Sequence, residues 1–367
     1  MSKSTAQQQP PNPESIEAAK DVGLLYVSHT SPGIHRRKSG KAFVYVDHSD
    51  KKIRDAKTLS RIKSLVIPPA WEDVWICASE RGHIQAVGKD ARGRRQYRYH
   101  PRFREGRDQA KYGHMLKFVK VLPKIRRRTR RDLGRKGMPR EKVLAAIVRL
   151  LETTLIRVGN EQYAKENNSY GLTTLHNSHA KVNGATTTFR FRGKSGVQHE
   201  IDLQNKKLAK VVRQCQDLPG QELFGYLDDV GNAHDIKSDD VNAYLHEIAG
   251  DDFTAKDFRT WAGTVLAAQA LQEFEQVDSE AARKKNVVKA VESVASRLGN
   301  TKAVCRKCYI HPEIIDSYMD GSLVEMLKEK AEAMLKPMRN LRPEEAAVLV
   351  LLTKRLSKSG SQKSNRN

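Results

Sequence analysis

The chain has 367 residues, and its 66 lysines and arginines against 43 aspartates and glutamates leave a net charge of +23. Such an excess predicts a polyanionic partner, because cations that displace condensed counterions bind nucleic acid regardless of its sequence. No apolar run approaches the roughly 20 residues that cross a bilayer, and the polar N-terminus has no signal-peptide pattern. Four cysteines are too few for a disulfide scaffold, so we expect an intracellular protein without a membrane partner.

The first part of the chain predicts a tail followed by a β-rich domain. Residues 1–20 are rich in Gln, Pro and Ser and lack apolar periodicity, which predicts a disordered tail. From residue 21 to residue 105, short β-like runs are broken by Gly, Pro and Asp, which predicts a β-rich DNA-binding domain. The clearest strands are Phe43–Val46, Val74–Cys77 and His83–Val87. One helix is predicted within Ala56–Leu65, where apolar residues recur on one face.

Helical periodicity dominates from residue 106 to residue 355 and predicts a mainly helical domain. One helix begins near Pro139, a second runs from Ser238 to a stop at Gly250, and a third begins at Thr254 with a capping-box pattern. The segment Ala180–Leu203 interrupts this pattern, because alternating apolar and polar residues flank a Gly-Lys-Ser-Gly turn, and it predicts an inserted β-hairpin or small meander. Residues 356–367 are predicted to form a flexible basic tail.

Two clusters of basic residues flank the predicted domain junction. Residues 92–107 hold seven arginines against one acid, with tyrosines and a phenylalanine between them, and residues 124–140 hold nine lysines and arginines against Asp132. Arginines that bind phosphates and aromatic rings that pack on sugars or bases are typical of DNA-contact surfaces. A single such run would be better explained by a solvated loop or a localisation signal, but two in a chain of this charge favour DNA binding.

Four residues stand in distinctive local contexts. Arg157 lies in TLIRVGNEQY, Lys194 in FRGKSGVQHE, Arg259 in KDFRTWAGT and Tyr309 in LGNTKAVCRKCYIHP. Taken singly, the cations are compatible with an exposed arginine, a turn lysine and a helical arginine paired with a carboxylate. Tyrosine can attack phosphorus, and a phosphodiester target would account for both the tyrosine and the basic surroundings.

Together these segments resemble the catalytic domain of type IB DNA topoisomerases, especially the poxvirus-like bacterial subfamily. The resemblance begins with YVSHTSPGIHRRKSGKAFVYVD and IPPAWEDVWIC, continues through GKDARGRRQYRYHPRFRE, and includes the four motifs above in the same order. It extends over roughly residues 23–320. The resemblance implies an α+β fold, a two-lobed DNA clamp with a β-rich N-terminal lobe and a mainly helical catalytic lobe that carries the inserted hairpin.

The resemblance also implies a role for each site residue. Tyr309 would attack a backbone phosphate to give a 3′-phosphotyrosyl link, Arg157 and Arg259 would bind the non-bridging oxygens, and Lys194 would protonate the departing 5′ oxygen. Nine residues before the tyrosine, where poxvirus and eukaryotic enzymes have histidine, this chain has Asn300, whose amide can still donate one hydrogen bond. Such an enzyme relaxes positive and negative supercoils without ATP, metal or any other cofactor.

The DNA-contact residues implied by the resemblance are Arg94, Arg95, Tyr97, Tyr99 and Tyr163. The partner would be double-stranded DNA, bound by a monomer in the bacterial nucleoid within the cytoplasm. The chain would thus be an isomerase that nicks one strand, lets it swivel and reseals it.

Two other protein classes remain open on the sequence alone. A tyrosine recombinase uses the same cations and nucleophile, but it usually has histidine three residues before the second arginine, where this chain has Lys256. An architectural DNA-binding protein would explain the charge but not the four motifs. Cys305 and Cys308 lack the further ligands of a zinc site, so we interpret them as structural and hypothesise that their oxidation impairs cleavage.

Overall fold

The computed structural model describes residues 13–40, 42–250, 252–274, 277–333 and 341–364. The chain divides into two compact units, Met1–Gly113 and His114–Asn367. The division falls a few residues beyond the predicted boundary at residue 105, because a long helix runs through it. The predicted N-terminal tail lies outside the described residues up to residue 12, and a helix begins at Pro13.

The N-terminal unit is built on one antiparallel sheet of five strands in the order β2-β1-β3-β4-β5. Its strands are β1 (Gly33–Ser39), β2 (Ala42–Val46), β3 (Glu72–Cys77), β4 (Ile84–Lys89) and β5 (Arg95–Tyr99), and its helices are α1 (Pro13–Asp21), α2 (Ala56–Ser64) and the first part of α3 (Pro101–Asp132). Asp55 caps α2 by accepting a hydrogen bond from Thr58 N at 2.7 Å, and Ile62 then packs against the sheet. The three predicted strands and the predicted helix are confirmed.

The second unit is mainly helical and carries two small antiparallel sheets. Its helices after α3 are α4 (Arg140–Thr154), α5 (Glu161–Asn167), α6 (Lys206–Gln216), α7 (Ser238–Ala249), α8 (Ala255–Glu273), α9 (Glu280–Leu298), α10 (Lys302–Cys308), α11 (Pro312–Met319), α12 (Leu323–Ala333) and α13 (Pro343–Ser364). Its strands are β6 (Ala180–Asn183), β7 (Thr186–Arg192), β8 (Gln198–Gln204), β9 (Gly225–Leu227) and β10 (Ala233–Asp235). Of the two predicted forms of the inserted segment, hairpin and small meander, the structure has the meander, a three-stranded antiparallel sheet in the order β6-β7-β8.

Helices α4 and α8 form the centre of the second unit. Ten of the fifteen residues of α4 are buried, so this helix is surrounded on nearly all sides rather than on one stripe. Thr254 caps α8 with the predicted capping box, and eleven of its nineteen residues are buried. Gly250 ends α7 in the left-handed conformation, as predicted.

The second basic cluster, residues 124–140, is largely occupied by ion pairs inside its own unit. Asp132 is fully buried and accepts hydrogen bonds from Arg128 at 2.6 Å and from Tyr244 at 2.9 Å. Arg126 binds Glu345 through both terminal nitrogens, at 2.8 and 2.7 Å, and so ties α13 to α3. Several arginines of this cluster therefore stabilise the fold, a use that the charge count did not predict.

Helix α13 continues through Ser364, into the segment 356–367 that we expected to be flexible, and residues 365–367 lie outside the described residues. No proline interrupts this segment, so the helix that starts at Pro343 can extend beyond its buried part. None of the helices within the described ranges is long and apolar enough to cross a membrane.

Candidate active site

One cleft in the second unit brings together four of the five predicted catalytic residues. It has a volume of about 370 Å³, and the residues that line it come from five separate parts of the chain. Its lining consists of Arg157, Val158, Gly159, Asn160, Tyr163, Ser169, Tyr170, Lys194, Ala255, Lys256, Arg259 and Tyr309. The fifth predicted residue, Asn300, contacts Arg157 directly.

Arg259 is held rigidly at the first turns of α8. Its side chain is buried, and its two terminal nitrogens donate to the backbone oxygens of Leu155 and Leu298, the second at 2.7 Å. Leu155 presents its carbonyl from a left-handed conformation (φ 59°) at the end of α4, which is uncommon for a leucine. Burial, and then the neighbouring Arg157, lower the pKa of Arg259 to about 10. Arg259 thus pairs with carbonyl oxygens and not with the carboxylate that a helical arginine commonly finds.

Arg157 lies in the extended segment that follows α4 and is anchored to the turn after α9. Its Nη2 atom donates to Asn300 Oδ1 at 2.5 Å and to Gly299 O at 3.3 Å. Because arginine can only donate, this contact fixes the orientation of the amide: the oxygen faces Arg157. The amide nitrogen of Asn300 is then buried without a hydrogen-bond partner within the described part of the chain, and so is Arg259 Nε.

Tyr309 follows the last residue of α10 and is docked against α8. Its backbone oxygen accepts a hydrogen bond from Thr264 Oγ1 at 3.2 Å, and His311 N donates to the same hydroxyl at 3.1 Å. A Cβ atom on Gly263 would lie 2.7 Å from Tyr309 O, so only glycine permits this approach. The guanidinium carbon of Arg259 lies 5.3 Å from the centre of the Tyr309 ring. Helix α8 therefore carries Arg259 and, about one turn later, the residues Gly263 and Thr264 against which Tyr309 packs.

Lys194 occupies the turn between β7 and β8. Gly193 N donates a hydrogen bond to Val197 O at 2.7 Å and so closes the turn, while Ser195 takes the left-handed conformation (φ 64°). Phe189 and Phe191 are buried and anchor β7 beneath the turn. The lysine itself is exposed at the edge of the cleft, where a departing oxygen could receive its proton.

The predicted DNA-contact residues fall in both units. Tyr163, 37% exposed, lies on α5 at the cleft. Tyr97 and Tyr99 share one face of β5, with ring centres 5.8 Å apart, and Arg95 begins the same strand. Arg94 forms an ion pair with Asp90 at 2.7 Å, and its hydrogen bond lowers the pKa of Asp90 to about 2. Each of these four lies in the N-terminal unit.

The sequence motifs do not predict which residues support the site. Gly263 and Thr264 are two of them, although a glycine inside a helical pattern is a recognisable sign of close packing. His199 packs against Gly193 and Gly299, and a histidine on a predicted strand has no distinctive pattern that would point to it.

The two cysteines before Tyr309 are three residues apart on α10 and lie on one face of that helix. Cys305 is buried, and burial raises the pKa of its thiol to about 11, whereas Cys308 is half-buried. Among the described residues no group of three or more His, Cys, Asp or Glu side chains is arranged to hold a metal ion.

Comparison with known families and proteins gives a consistent result. Residues 100–340 match the catalytic core of eukaryotic DNA topoisomerase I, and residues 42–90 match the N-terminal domain of bacterial DNA topoisomerase IB. DNA topoisomerase 1B of Acanthamoeba polyphaga mimivirus is 32% identical over 300 residues, which cover 80% of this chain and 89% of the viral protein. DNA topoisomerase I of Monkeypox virus is 24% identical over 263 residues, covering 71% of this chain and 79% of the relative.

The family models span both parts of the chain, and the identity with the mimivirus protein extends over most of both sequences. The resemblance inferred from seven short motifs is therefore confirmed by the family models over residues 42–90 and 100–340. This chain belongs to the type IB DNA topoisomerase family.

Proposed function

We propose that Tyr309 is the nucleophile with which this type IB topoisomerase opens one strand of duplex DNA. The phenolic oxygen attacks the phosphorus and loses its proton to solvent, and the bond from phosphorus to the 5′ oxygen breaks. A 3′-phosphotyrosyl link and a 5′-hydroxyl end result. The cut strand swivels about the intact one, and the reverse attack by the 5′ hydroxyl reseals it, so supercoils of either sign relax without ATP.

The observation that carries this assignment is the convergence of Tyr309, Arg157, Lys194 and Arg259 on one cleft. Phosphoryl transfer depends mainly on positioned positive charge, and a guanidinium suits it because it stays charged and presents a fixed fork of donors. The buried donors Arg259 Nε and Asn300 Nδ2 have no partner among the described residues, and they support the same roles, because buried donors without a partner are rare and a phosphate oxygen would satisfy them.

We assign Lys194 as the acid for the departing 5′ oxygen. Its turn lies at the edge of the cleft, and its side chain is exposed, so the ammonium can reach a leaving group without displacing the arginines. The same amine removes the proton from the 5′ hydroxyl on resealing, because both directions pass through one transition state.

We further propose that the chain acts as a monomeric, two-lobed clamp on double-stranded DNA in the bacterial nucleoid. Tyr163 at the cleft and Arg95, Tyr97 and Tyr99 on β5 would contact the duplex, the tyrosines packing on sugars or bases. Arg94 would join them after exchanging its partner Asp90 for a phosphate. The match to a bacterial N-terminal domain supports the cellular location.

Relaxation of supercoiled plasmid in EDTA and without ATP tests the nucleophile. The native protein should relax the plasmid, and Tyr309→Phe should not. Addition of denaturant during the reaction should leave the native protein covalently attached to the 3′ end of the nicked strand. Tyr226→Phe is a matched control, because it removes the same hydroxyl from a residue on β9 that does not line the cleft. Full relaxation by Tyr309→Phe would refute the assignment. A tyrosine recombinase without its target sites would leave the linking number unchanged.

A further inference from the structure

We propose that His199 is a positioning residue of the cleavage reaction, because its imidazole is wedged between the two glycines that precede Lys194 and Asn300. A Cβ atom on Gly193 would lie 2.6 Å from His199 Nε2, and one on Gly299 would lie 2.5 Å from His199 Cε1. Both distances are far below ordinary van der Waals contact, so the ring touches both backbones at once. The inference rests on the roles proposed for Lys194 and Asn300.

The ring itself has little freedom to move. His199 pairs with Phe191 across strands β8 and β7, and the two rings stack with centres 5.0 Å apart and an angle of 18° between their planes. The cavity beside the ring, lined also by Ile201 and Leu298, has a volume of only about 10 Å³, room for no more than one water molecule. A rigid ring in contact with two turns transmits the position of each turn to the other.

The surroundings of the ring favour its neutral form. Burial, followed by the charges of Arg157 and Arg259, lowers the pKa of His199 below its ordinary value. Arg297 and the phenol of Tyr170 line the same small cavity. A proton on the imidazole would thus add a further positive charge beside cations that no carboxylate of that cavity offsets. The neutral ring can pack against both glycines without pushing the arginines away.

Loss of the His199 ring should disturb the turns that carry Lys194 and Asn300. Two DNA substrates, one that needs the Lys194 proton and one that does not, can separate the effect on Lys194 from the rest. A duplex with sulfur in place of the 5′ oxygen at the cut site needs no proton on its leaving group, because thiols (pKa about 8.5) are far more acidic than alcohols. His199→Ala should cleave the oxygen substrate about 10- to 100-fold more slowly than the native protein, the loss expected for displacement by a fraction of an ångström up to 1 Å. The sulfur substrate should be affected less, since it does not need Lys194.

The decisive experiment measures single-turnover cleavage of both substrates by His199→Ala, His199→Gln and the control Glu200→Ala. Glu200 is the next residue on β8, faces the other side of the sheet and pairs with Arg190 in solvent, so its loss should change neither rate. Double variants with Lys194→Ala and with Asn300→Ala should lose less than the product of the single losses. Equal slowing on both substrates, or losses that multiply, would overturn the inference.

The pH profile supplies a second readout, which a purely structural role would not produce. Native cleavage should still be unaffected near pH 6.5 (the ordinary histidine pKa is about 6.5) and should fall only at lower pH, because burial lowers the pKa of His199. His199→Gln stays neutral at every pH and should lack this fall in rate at acid pH, whereas Glu200→Ala should keep it. The glutamine variant also provides the test if the alanine variant does not fold. An unchanged fall in rate at acid pH in His199→Gln would refute the proposal. If Lys194→Ala itself cleaved the oxygen substrate at the native rate, the proposed site, and not this inference alone, would be wrong.

Discussion

Replacing Gly263 by alanine should displace the tyrosine without touching any group that reacts. The new Cβ would lie 2.7 Å from Tyr309 O and 2.9 Å from Tyr309 Cβ, and 3.3 Å from Leu298 Cδ1. Ordinary contact begins near 3.4 Å, so the tyrosine must retreat by about 3.4 − 2.7 = 0.7 Å or α8 must bend. Displacements approaching 1 Å cost up to about 100-fold in rate, so we expect covalent cleavage about 10- to 100-fold slower. Overpacking of this kind also lowers the free energy of unfolding by about 1–3 kcal/mol.

The assay measures the single-turnover rate at which the covalent protein–DNA adduct forms, with saturating enzyme. The thermal melting temperature of each variant is measured alongside it. Gly113→Ala is the matched control, because this helical glycine has ordinary φ and nothing within 4 Å of the added methyl group. Non-covalent DNA affinity should be the same for both variants, since neither site presents a cation. A native cleavage rate in Gly263→Ala would show that the nucleophile does not depend on its seat against α8.

Three further predictions concern other side chains. Arg259→Lys keeps the charge but loses the fork that reaches two backbone oxygens, and cleavage should fall about 100-fold in the same single-turnover assay. Burial acts to raise the pKa of Asp132, but hydrogen bonds from Arg128 and Tyr244 outweigh it and hold the pKa below its usual range. The stability that this carboxylate contributes is therefore fully present above about pH 3.9 and is lost as the pH falls through the lower pKa of the folded state. Asp132→Asn should make the free energy of unfolding less dependent on pH in the acid range, and should lower it by about 3 kcal/mol at pH 7 in denaturant titration. Cys308→Ser should remove any sensitivity of cleavage to peroxide and Cys305→Ser should not, because the raised pKa of Cys305 suppresses its thiolate; equal sensitivity in the double variant would dispose of thiol oxidation altogether.

Local chemistry was the part of the fold that the sequence predicted well. The capping pattern at Thr254, the stop at Gly250 and the alternation around Lys194 each depend on residues close in the chain, and each appears as expected. The use of the basic residues at 124–140 could not be predicted in the same way. Their partners Glu345 and Glu247 lie more than a hundred residues away, so only the folded chain shows that they form ion pairs.

The candidate site also has a part that local sequence predicts and a part that it does not. The motifs predicted the candidate catalytic side chains that line the cleft, because each of these residue types has a distinctive chemistry. They did not identify what holds those groups: the carbonyl of Leu155, the hydroxyl of Thr264 and the ring of His199 act through contacts between distant segments. Such residues act by fitting against distant parts of the chain. A residue type alone does not show which segment it will pack against, so these roles could not be predicted from the sequence.

The carbonyl oxygens that anchor the two arginines have a consequence for the charge of the cleft. Leu298 O and Gly299 O are at the C-terminal end of α9, which carries the partial negative charge of the helix dipole. Dipoles fix the guanidinium groups in place without cancelling their charge, as an aspartate or glutamate would. None of the described residues that line the cleft is acidic, so their positive charge remains available to an incoming anion. We therefore expect small multivalent anions such as pyrophosphate to compete with DNA at this cleft, and to do so more weakly once either arginine is removed.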